Sequence, residues 1–95
     1  MNMFTSPRPN FYESSDGFSV EVLGQTGLAY REPGRRMFVD AEVVMGSSGL
    51  MLYRDSISRW DAPNEADPVD AAERQRILEN IRQAFLFQGF EIDVI

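Results

Sequence analysis

The segment Asp70–Gln88 has the clearest periodicity in the chain. Its apolar side recurs at spacings of one, three and four, which is typical of an amphipathic helix, and consists of Ile77, Leu78, Ile81, Ala84, Phe85 and Gln88. Asp70 can accept from the free amides of the first turn, Glu73 follows as in a capping box, and Gly89 is predicted to end the helix. Because a helix of this length is marginal alone in water, the rest of the chain must supply a sheet for it to cover.

Before the helix, short runs of alternating apolar and polar residues predict strands, separated by turns rich in glycine and proline. The predicted strands are Phe18–Leu23, Leu28–Glu32, Arg36–Met45 and Leu50–Arg54, with Ser56–Trp60 as a candidate extension after a bulge at Asp55. After the helix, Phe90–Ile95 alternates as a last strand. Trp60 is predicted to close one end of the core, with an interface anchor as the alternative.

This order predicts an α+β domain of two layers: an antiparallel meander of about four strands, one C-terminal helix on one face, and then a final strand. Residues 1–16 lack a clear period, and we expect them to form a loosely ordered N-terminal arm. Residues 17–95 are expected to form a single domain, since 95 residues with 43% hydrophobic content suit one modest core.

The chain has no cysteine and no histidine, which removes disulfides, thiolate chemistry, histidine bases and the usual zinc sites. We therefore assign no catalytic, metal-binding or cofactor-binding residue and predict that the protein is not an enzyme. A small enzyme or metal binder that uses carboxylates alone stays as a further alternative. With no apolar run long enough for a membrane span and no secretory signal, we expect a cytoplasmic protein without a membrane partner.

The net charge of −6 argues against a nucleic-acid partner and favours a basic protein partner. If the helix covers the apolar face of the sheet, acidic residues and a few apolar ones (Leu23, Phe38, Val44 and Tyr53) lie on the opposite face. The candidate partner-binding residues on that face are Glu21, Phe38, Asp40, Glu42, Tyr53, Glu91 and Asp93. The alternative is an ordinary solvated sheet face.

Three arginines, Arg31, Arg35 and Arg36, surround the predicted turn at Pro33-Gly34. We expect them to pair with nearby carboxylates, with a phosphate site as the weaker alternative.

Several short motifs in one order resemble the immunity protein 74 family of bacterial polymorphic toxin systems. The resemblance covers about residues 18–95 and leaves residues 1–17 outside. Its motifs are Gly27-Leu28-Ala29-Tyr30, Glu32-Pro33-Gly34-Arg35, a strand that carries Glu42, Trp60-Asp61-Ala62-Pro63, Asp70-Ala71-Ala72-Glu73-Arg74, Ile77, Asn80-Ile81 and Glu91-Ile92-Asp93-Val94.

The resemblance implies a small α+β fold and a protein that neutralises a cognate toxin by binding it. It implies no catalytic residue and no cofactor. The expected partner is a basic toxin domain that meets the acidic sheet face, because complementary charge speeds and orients protein association. The alternative function is a structural or adaptor domain that binds another protein or forms a homodimer through the Ile95 edge strand or the sheet face.

Overall fold

The computed structural model of the chain describes residues 3–24, 26–43 and 49–95. Their elements are β1 (Phe4–Arg8), β2 (Phe11–Ser14), β3 (Ser19–Val22), β4 (Thr26–Glu32), β5 (Arg35–Val43), β6 (Leu50–Leu52), a 3-10 turn (Arg54–Ser56), α1 (Ala71–Phe87) and β7 (Ile92–Val94). Val44 and Met45, the end of the third predicted strand, lie outside the described residues.

All the strands of the described residues belong to one seven-stranded sheet whose order follows the chain, from β1 at one edge to β7 at the other. Strands β1 to β6 pair antiparallel with their neighbours, and β7 lies parallel to β6 after the helical connection. The predicted α+β class, with one helix and then a final strand, is confirmed. The expected number of about four strands before the helix is wrong, because six precede it.

The two additional strands come from the segment that we expected to be an arm. Arg8 pairs with Phe11 across a turn in which Asn10 has a φ of 63°, a conformation that asparagine tolerates better than most residues. Phe4 then packs edge-to-face on Phe18 at 5.7 Å between ring centroids and lies 5.6 Å from the ring of Phe87. Aromatic contacts therefore attach β1 to the end of the helix.

Both predicted ends of the helix are observed. The Asp70 carboxylate accepts from the Glu73 amide at 2.8 Å. At the other end, Gly89 has a φ of 85°, and the amides of Gly89 and Phe90 donate to the carbonyls of Leu86 and Phe85. This pattern is a Schellman motif, which needs a residue without a Cβ at the left-handed position.

The core lies between α1 and one face of the sheet. The apolar side of the helix, Ile77 to Phe85, joins buried residues from β3 to β7 in one cluster. The predicted strand Ser56–Trp60 is wrong: Arg54–Ser56 forms a 3-10 turn, and Ile57 and Trp60 of the following loop are fully buried in the cluster. Val43, which lies at the end of β5, is 48% exposed.

A polar network connects the helix to the β4–β5 hairpin at one end of the core. The buried Tyr30 hydroxyl donates to Glu32 at 2.5 Å and accepts from the Asn80 amide at 2.9 Å. Arg76 of the helix also donates to Glu32, and Arg35 donates to both Glu32 and Glu73. The hairpin and the first half of the helix are thus held by charge-assisted hydrogen bonds as well as by apolar packing.

Partial burial tends to raise the pKa of Glu32, but hydrogen bonds from Arg76 and Tyr30 and the charge of Arg76 together hold this pKa below its ordinary value of 4.5. A carboxylate with a lowered folded-state pKa stabilises the fold above its ordinary pKa, and this contribution is lost as the pH falls through the lower, folded-state value. Glu32 should therefore stabilise the fold most at neutral pH.

We expect Glu32→Gln to lower the free energy of unfolding by about 1.5–3 kcal/mol at neutral pH, the usual range for hydrogen bonds to a charged group. The difference in unfolding free energy between the variant and the original chain should shrink in acid, because Glu32 of the original chain then becomes neutral as well. Urea unfolding followed by circular dichroism at about pH 7 and about pH 3 measures both values. Glu65→Gln is the control, because Glu65 is exposed and forms no ion pair with a described residue. An equal loss in both variants would contradict the role of the network.

Candidate functional site

The sheet face opposite the helix carries the predicted partner-binding residues. On β5, Phe38, Asp40 and Glu42 alternate with the buried residues Val39 and Ala41, and all three are exposed. This outcome follows from the two-residue period of a strand whose other face is covered. The predicted outward orientation of these three residues is confirmed.

Strand register extends this acidic surface across the neighbouring strands. Glu42 pairs with Met51 of β6, and Met51 pairs with Asp93 of β7, so that these three residues form one row. At the usual strand spacing, the backbones of Glu42 and Asp93 are about 10 Å apart, and Asp40 lies about 7 Å from Glu42 along β5. Glu91 is exposed and two residues before Asp93. We call Asp40, Glu42, Glu91 and Asp93 the acidic patch.

Glu21 lies on the same face but in a different electrostatic setting. Its carboxylate pairs with Arg31 at 3.1 Å and with Arg8 at 3.4 Å, and Arg8 also lies 4.0 Å from the centroid of the Phe11 ring. Desolvation tends to raise the pKa of Glu21, but the hydrogen bonds and charges of these two arginines hold it below its ordinary value. The charge of Glu21 is therefore compensated within the chain.

The acidic patch has no such compensation among the residues that the structure describes. None of its four carboxylates forms an ion pair there, although the same part of the chain contains nine ion-pair contacts. The sheet face is thus divided. On the β1–β4 side, Arg8 and Arg31 compensate Glu21, and Glu13 of β2 is exposed without an ion pair to a described residue. The β5–β7 side groups the four carboxylates of the acidic patch.

A shallow depression of about 370 Å³ opens within the charged side, lined by Thr26, Asp40, Ala41, Glu42 and Tyr53. Tyr53 and Glu42 line this depression together. Desolvation, the charge and hydrogen-bonding carboxylate of Glu42, and the charge of Asp40 raise the pKa of Tyr53 above its ordinary value of 10.0. The depression combines two carboxylates with an aromatic ring, which are the groups that bind a guanidinium or an ammonium group.

Phe38 adds an apolar contact surface beside the depression. Its ring covers Gly27 so closely that a Cβ built at Gly27 would lie 2.5 Å from the ring. The Phe38 amide also donates to Asp61 at 3.2 Å, while the ring itself stays 44% exposed. Leu23, expected on the same face, is 36% exposed, and Val44 lies outside the described residues.

The arginines around Pro33-Gly34 pair with carboxylates, as predicted. Arg31 contacts Glu21, and Arg36 contacts Asp61. Arg35 contacts Glu32, Glu73 and Asp67, and its guanidinium lies 4.1 Å from the centroid of the Trp60 ring. Because all three guanidinium groups are paired with carboxylates, we assign this arginine cluster a structural role.

A second concave surface lies on the helix side of the sheet. This cleft of about 290 Å³ is mainly apolar and is lined by Asn10, Val22, Val43, Gly49, Leu50, Phe85, Gln88 and Phe90. None of these described lining residues is charged. Two of its lining residues, Val43 and Gly49, border residues 44–48, which the structure does not describe.

Comparison with known proteins identifies the chain at the level of the family. The model of the family named immunity protein 74 matches residues 20–95, which include all of the acidic patch, Phe38 and Tyr53. The chain belongs to the immunity protein 74 family. A search of curated proteins and a search of solved structures each found no match.

Membership of the immunity protein 74 family implies that the chain neutralises a toxin and that it binds a cognate toxin protein. Proteins of this type are typically non-enzymatic inhibitors that act by binding. The match begins inside β3, so that β1 and β2 lie outside it. Within residues 3–24, 26–43 and 49–95, no helix is long and apolar enough to cross a membrane, and no cluster of acidic residues is arranged to hold a metal ion.

Sequence reasoning did not assign two residues of this surface. Met51 lies between Glu42 and Asp93, and Thr26 lines the depression beside Asp40. Alternation alone places Met51 on the outer face, but only the pairing register shows that it separates two carboxylates. Methionine adapts well to the shape of a partner, so Met51 extends the contact surface without adding charge.

The charge of Glu42 beside the Tyr53 phenol gives a testable pKa difference. We expect Glu42→Gln to move the pKa of Tyr53 down towards its ordinary value of 10.0, because the variant lacks the carboxylate charge beside the phenol. A pH titration of the tyrosine Cζ signals by ¹³C NMR measures this change. Glu91→Gln is the matched control, since Glu91 is not among the groups that raise this pKa. An equal effect of both substitutions would show that Tyr53 responds only to the total charge.

Proposed function

We propose that this immunity protein neutralises its toxin by placing the acidic patch against a basic surface of the toxin. The observation that carries the proposal is the absence of compensating charge: the four carboxylates have no ion-pair partner among the described residues. Like charges grouped on one exposed surface create a local negative potential that attracts a positively charged partner. A basic partner would supply the missing counter-charge.

Long-range attraction and close contact would have different roles in this complex. Complementary potentials raise the association rate and orient the two surfaces before they touch. Close contact would then involve Phe38, Met51 and Tyr53, since apolar and aromatic groups supply most of the energy at the centre of an interface. The depression at Tyr53 would accept one arginine or lysine side chain, held by Asp40 and Glu42.

Glu21, although it is one of the predicted binding residues, has another role in this proposal. Because Arg8 and Arg31 already compensate its charge, a partner would have to break these pairs to use it. We propose that Glu21 orders β1, β3 and β4, and that the toxin contacts the β5–β7 side.

The toxin must first be identified by activity as well as by capture. The tagged chain would be used as bait in a lysate of its native host, and captured proteins would be identified by mass spectrometry. A captured domain counts as the toxin only if its expression arrests growth and co-expression of this chain restores it. If no captured protein meets both conditions, the proposed function is contradicted.

The double substitution Asp40→Lys with Glu42→Lys then tests the acidic patch. We expect association with the purified toxin to slow by about tenfold to hundredfold at low ionic strength, with a smaller effect at high salt. Stopped-flow fluorescence or surface plasmon resonance measures the rate, and growth rescue measures neutralisation.

The matched control is Asp16→Lys with Glu65→Lys, which changes the net charge equally at exposed positions outside the acidic patch. If the control slows association as much as the patch variant does, total charge rather than the patch controls binding. Thermal unfolding of each variant checks that it is folded. A second comparison, Glu21→Gln, should lower stability more than it lowers the association rate.

A further inference from the structure

The strand β7 is an open edge of the sheet next to the acidic patch. Among the residues that the structure describes, β7 has one neighbour, β6, with which it pairs in parallel from Leu50–Ile92 to Leu52–Val94. The Leu50 amide donates to the Glu91 carbonyl at 3.3 Å, and the Ile95 amide donates to the Leu52 carbonyl at 2.9 Å. Residues 91, 93 and 95 therefore direct their backbone groups towards β6.

The backbone groups of the two intervening residues, Ile92 and Val94, point away from β6, because successive residues of a strand alternate in hydrogen-bonding direction. Within residues 3–24, 26–43 and 49–95, their amide and carbonyl groups have no hydrogen-bond partner. Such an edge is a template for another strand. The opposite edge is different. β1 contains Pro7, and its register with β2 shifts between Thr5 and Arg8, two features that discourage strand addition.

The side chains of β7 specify what could pair with it. Glu91 and Asp93 project on the acidic side and are exposed, whereas Ile92 is buried on the helix side and Val94 is partly buried there. Ile95, at 60% exposure, adds an apolar side chain at the end of the strand. The strand that pairs best with β7 would therefore have basic side chains on the acidic side of the sheet and apolar side chains on the helix side.

We propose that the free edge of β7 binds an extended segment of the toxin by strand addition, and that this segment alternates basic and apolar residues. The inference rests on the proposed function, since it defines how the toxin binds beside the acidic patch. Main-chain hydrogen bonds to Ile92 and Val94 would provide affinity, and the alternating side chains would provide selectivity.

A second copy of this chain is a poorer occupant of the same edge. In the antiparallel register that pairs all of Ile92–Val94 with a second copy, Asp93 would lie opposite Asp93, and in the register centred on Ile92 it would lie opposite Glu91. Like charges directly opposite each other destabilise a strand pair. A basic strand replaces this repulsion with attraction, which is why the toxin segment is the preferred occupant.

Backbone hydrogen exchange tests the edge without any substitution. The full-length ¹⁵N-labelled chain would be measured alone and in complex with the growth-arresting toxin domain identified as described above. We expect exchange of the Ile92 and Val94 amides to slow by about tenfold or more in the complex. The Asp93 amide, which points towards β6, should change much less and serves as the internal reference.

The pair Val94→Pro and Val94→Thr tests the same hydrogen bonds by affinity. Proline deletes the outward amide hydrogen, whereas threonine keeps both the amide and the β-branched shape. We expect Val94→Pro to weaken toxin binding by about fivefold to tenfold, and Val94→Thr to have little effect. Isothermal titration calorimetry gives the affinities. If Val94→Pro does not fold, hydrogen exchange on the unaltered chain still decides the question.

The outcomes separate this inference from the proposed function. Protection of Ile92 and Val94, together with a loss of affinity only in the proline variant, supports strand addition. Toxin binding that depends on Asp40 and Glu42 but leaves the Ile92 and Val94 amides unprotected overturns strand addition and leaves the proposed function standing. A concentration-dependent dimer that protects the same amides without toxin assigns the edge to self-association and overturns the inference. If the chain binds no toxin, both proposals fail.

Discussion

Burial of the apolar side of α1 against one face of the sheet is the interaction on which the rest of the structure depends. Ile77, Ile81 and Phe85 share one core cluster with residues from β3 to β7 and with Trp60 of the connecting loop. Full burial of one large apolar side chain contributes roughly 1.5–3 kcal/mol, so this layer is the main source of stability in a small domain. Because one sheet face is committed to the helix, every alternate residue must face outward.

The outward face of the sheet carries both carboxylates that are paired with arginine and carboxylates that are not. On its β1–β4 side, Arg8 and Arg31 compensate Glu21. The ion pairs of Glu32 with Arg35 and Arg76 lie on the other face, where they join the β4–β5 hairpin to α1. On the β5–β7 side, the acidic patch is left without ion-pair partners among the described residues. Surface ion pairs contribute little to stability. The main effect of the arginine positions is therefore to determine which part of the surface keeps a net charge. That placement leaves one area with a strong negative field beside an open strand edge.

Much of the fold and part of the candidate site could be predicted from local pattern. The Asp70 cap, the Gly89 end and the stripe of α1 were predicted because helix signals lie within a few residues of one another. The outward positions of Phe38, Asp40 and Glu42 were predicted because strand alternation needs only one covered face. By contrast, β1 and β2 were missed: Pro7 and Pro9 obscure the alternation, and the packing of Phe4 on Phe18 and Phe87 is a contact between distant residues.

The sequence by itself determined the helix and its caps, the alternation of β5, the overall negative charge and the resemblance to an immunity protein family. These properties depend on spacings within single segments and on composition, both of which can be read directly. Only the tertiary structure decided that Glu21 is neutralised by Arg8 and Arg31, that Glu42, Met51 and Asp93 form one row, and that β7 lies parallel to β6. The physical reason is strand register: a shift of one residue would exchange the two faces of a strand, and register is set by contacts between segments far apart in the chain.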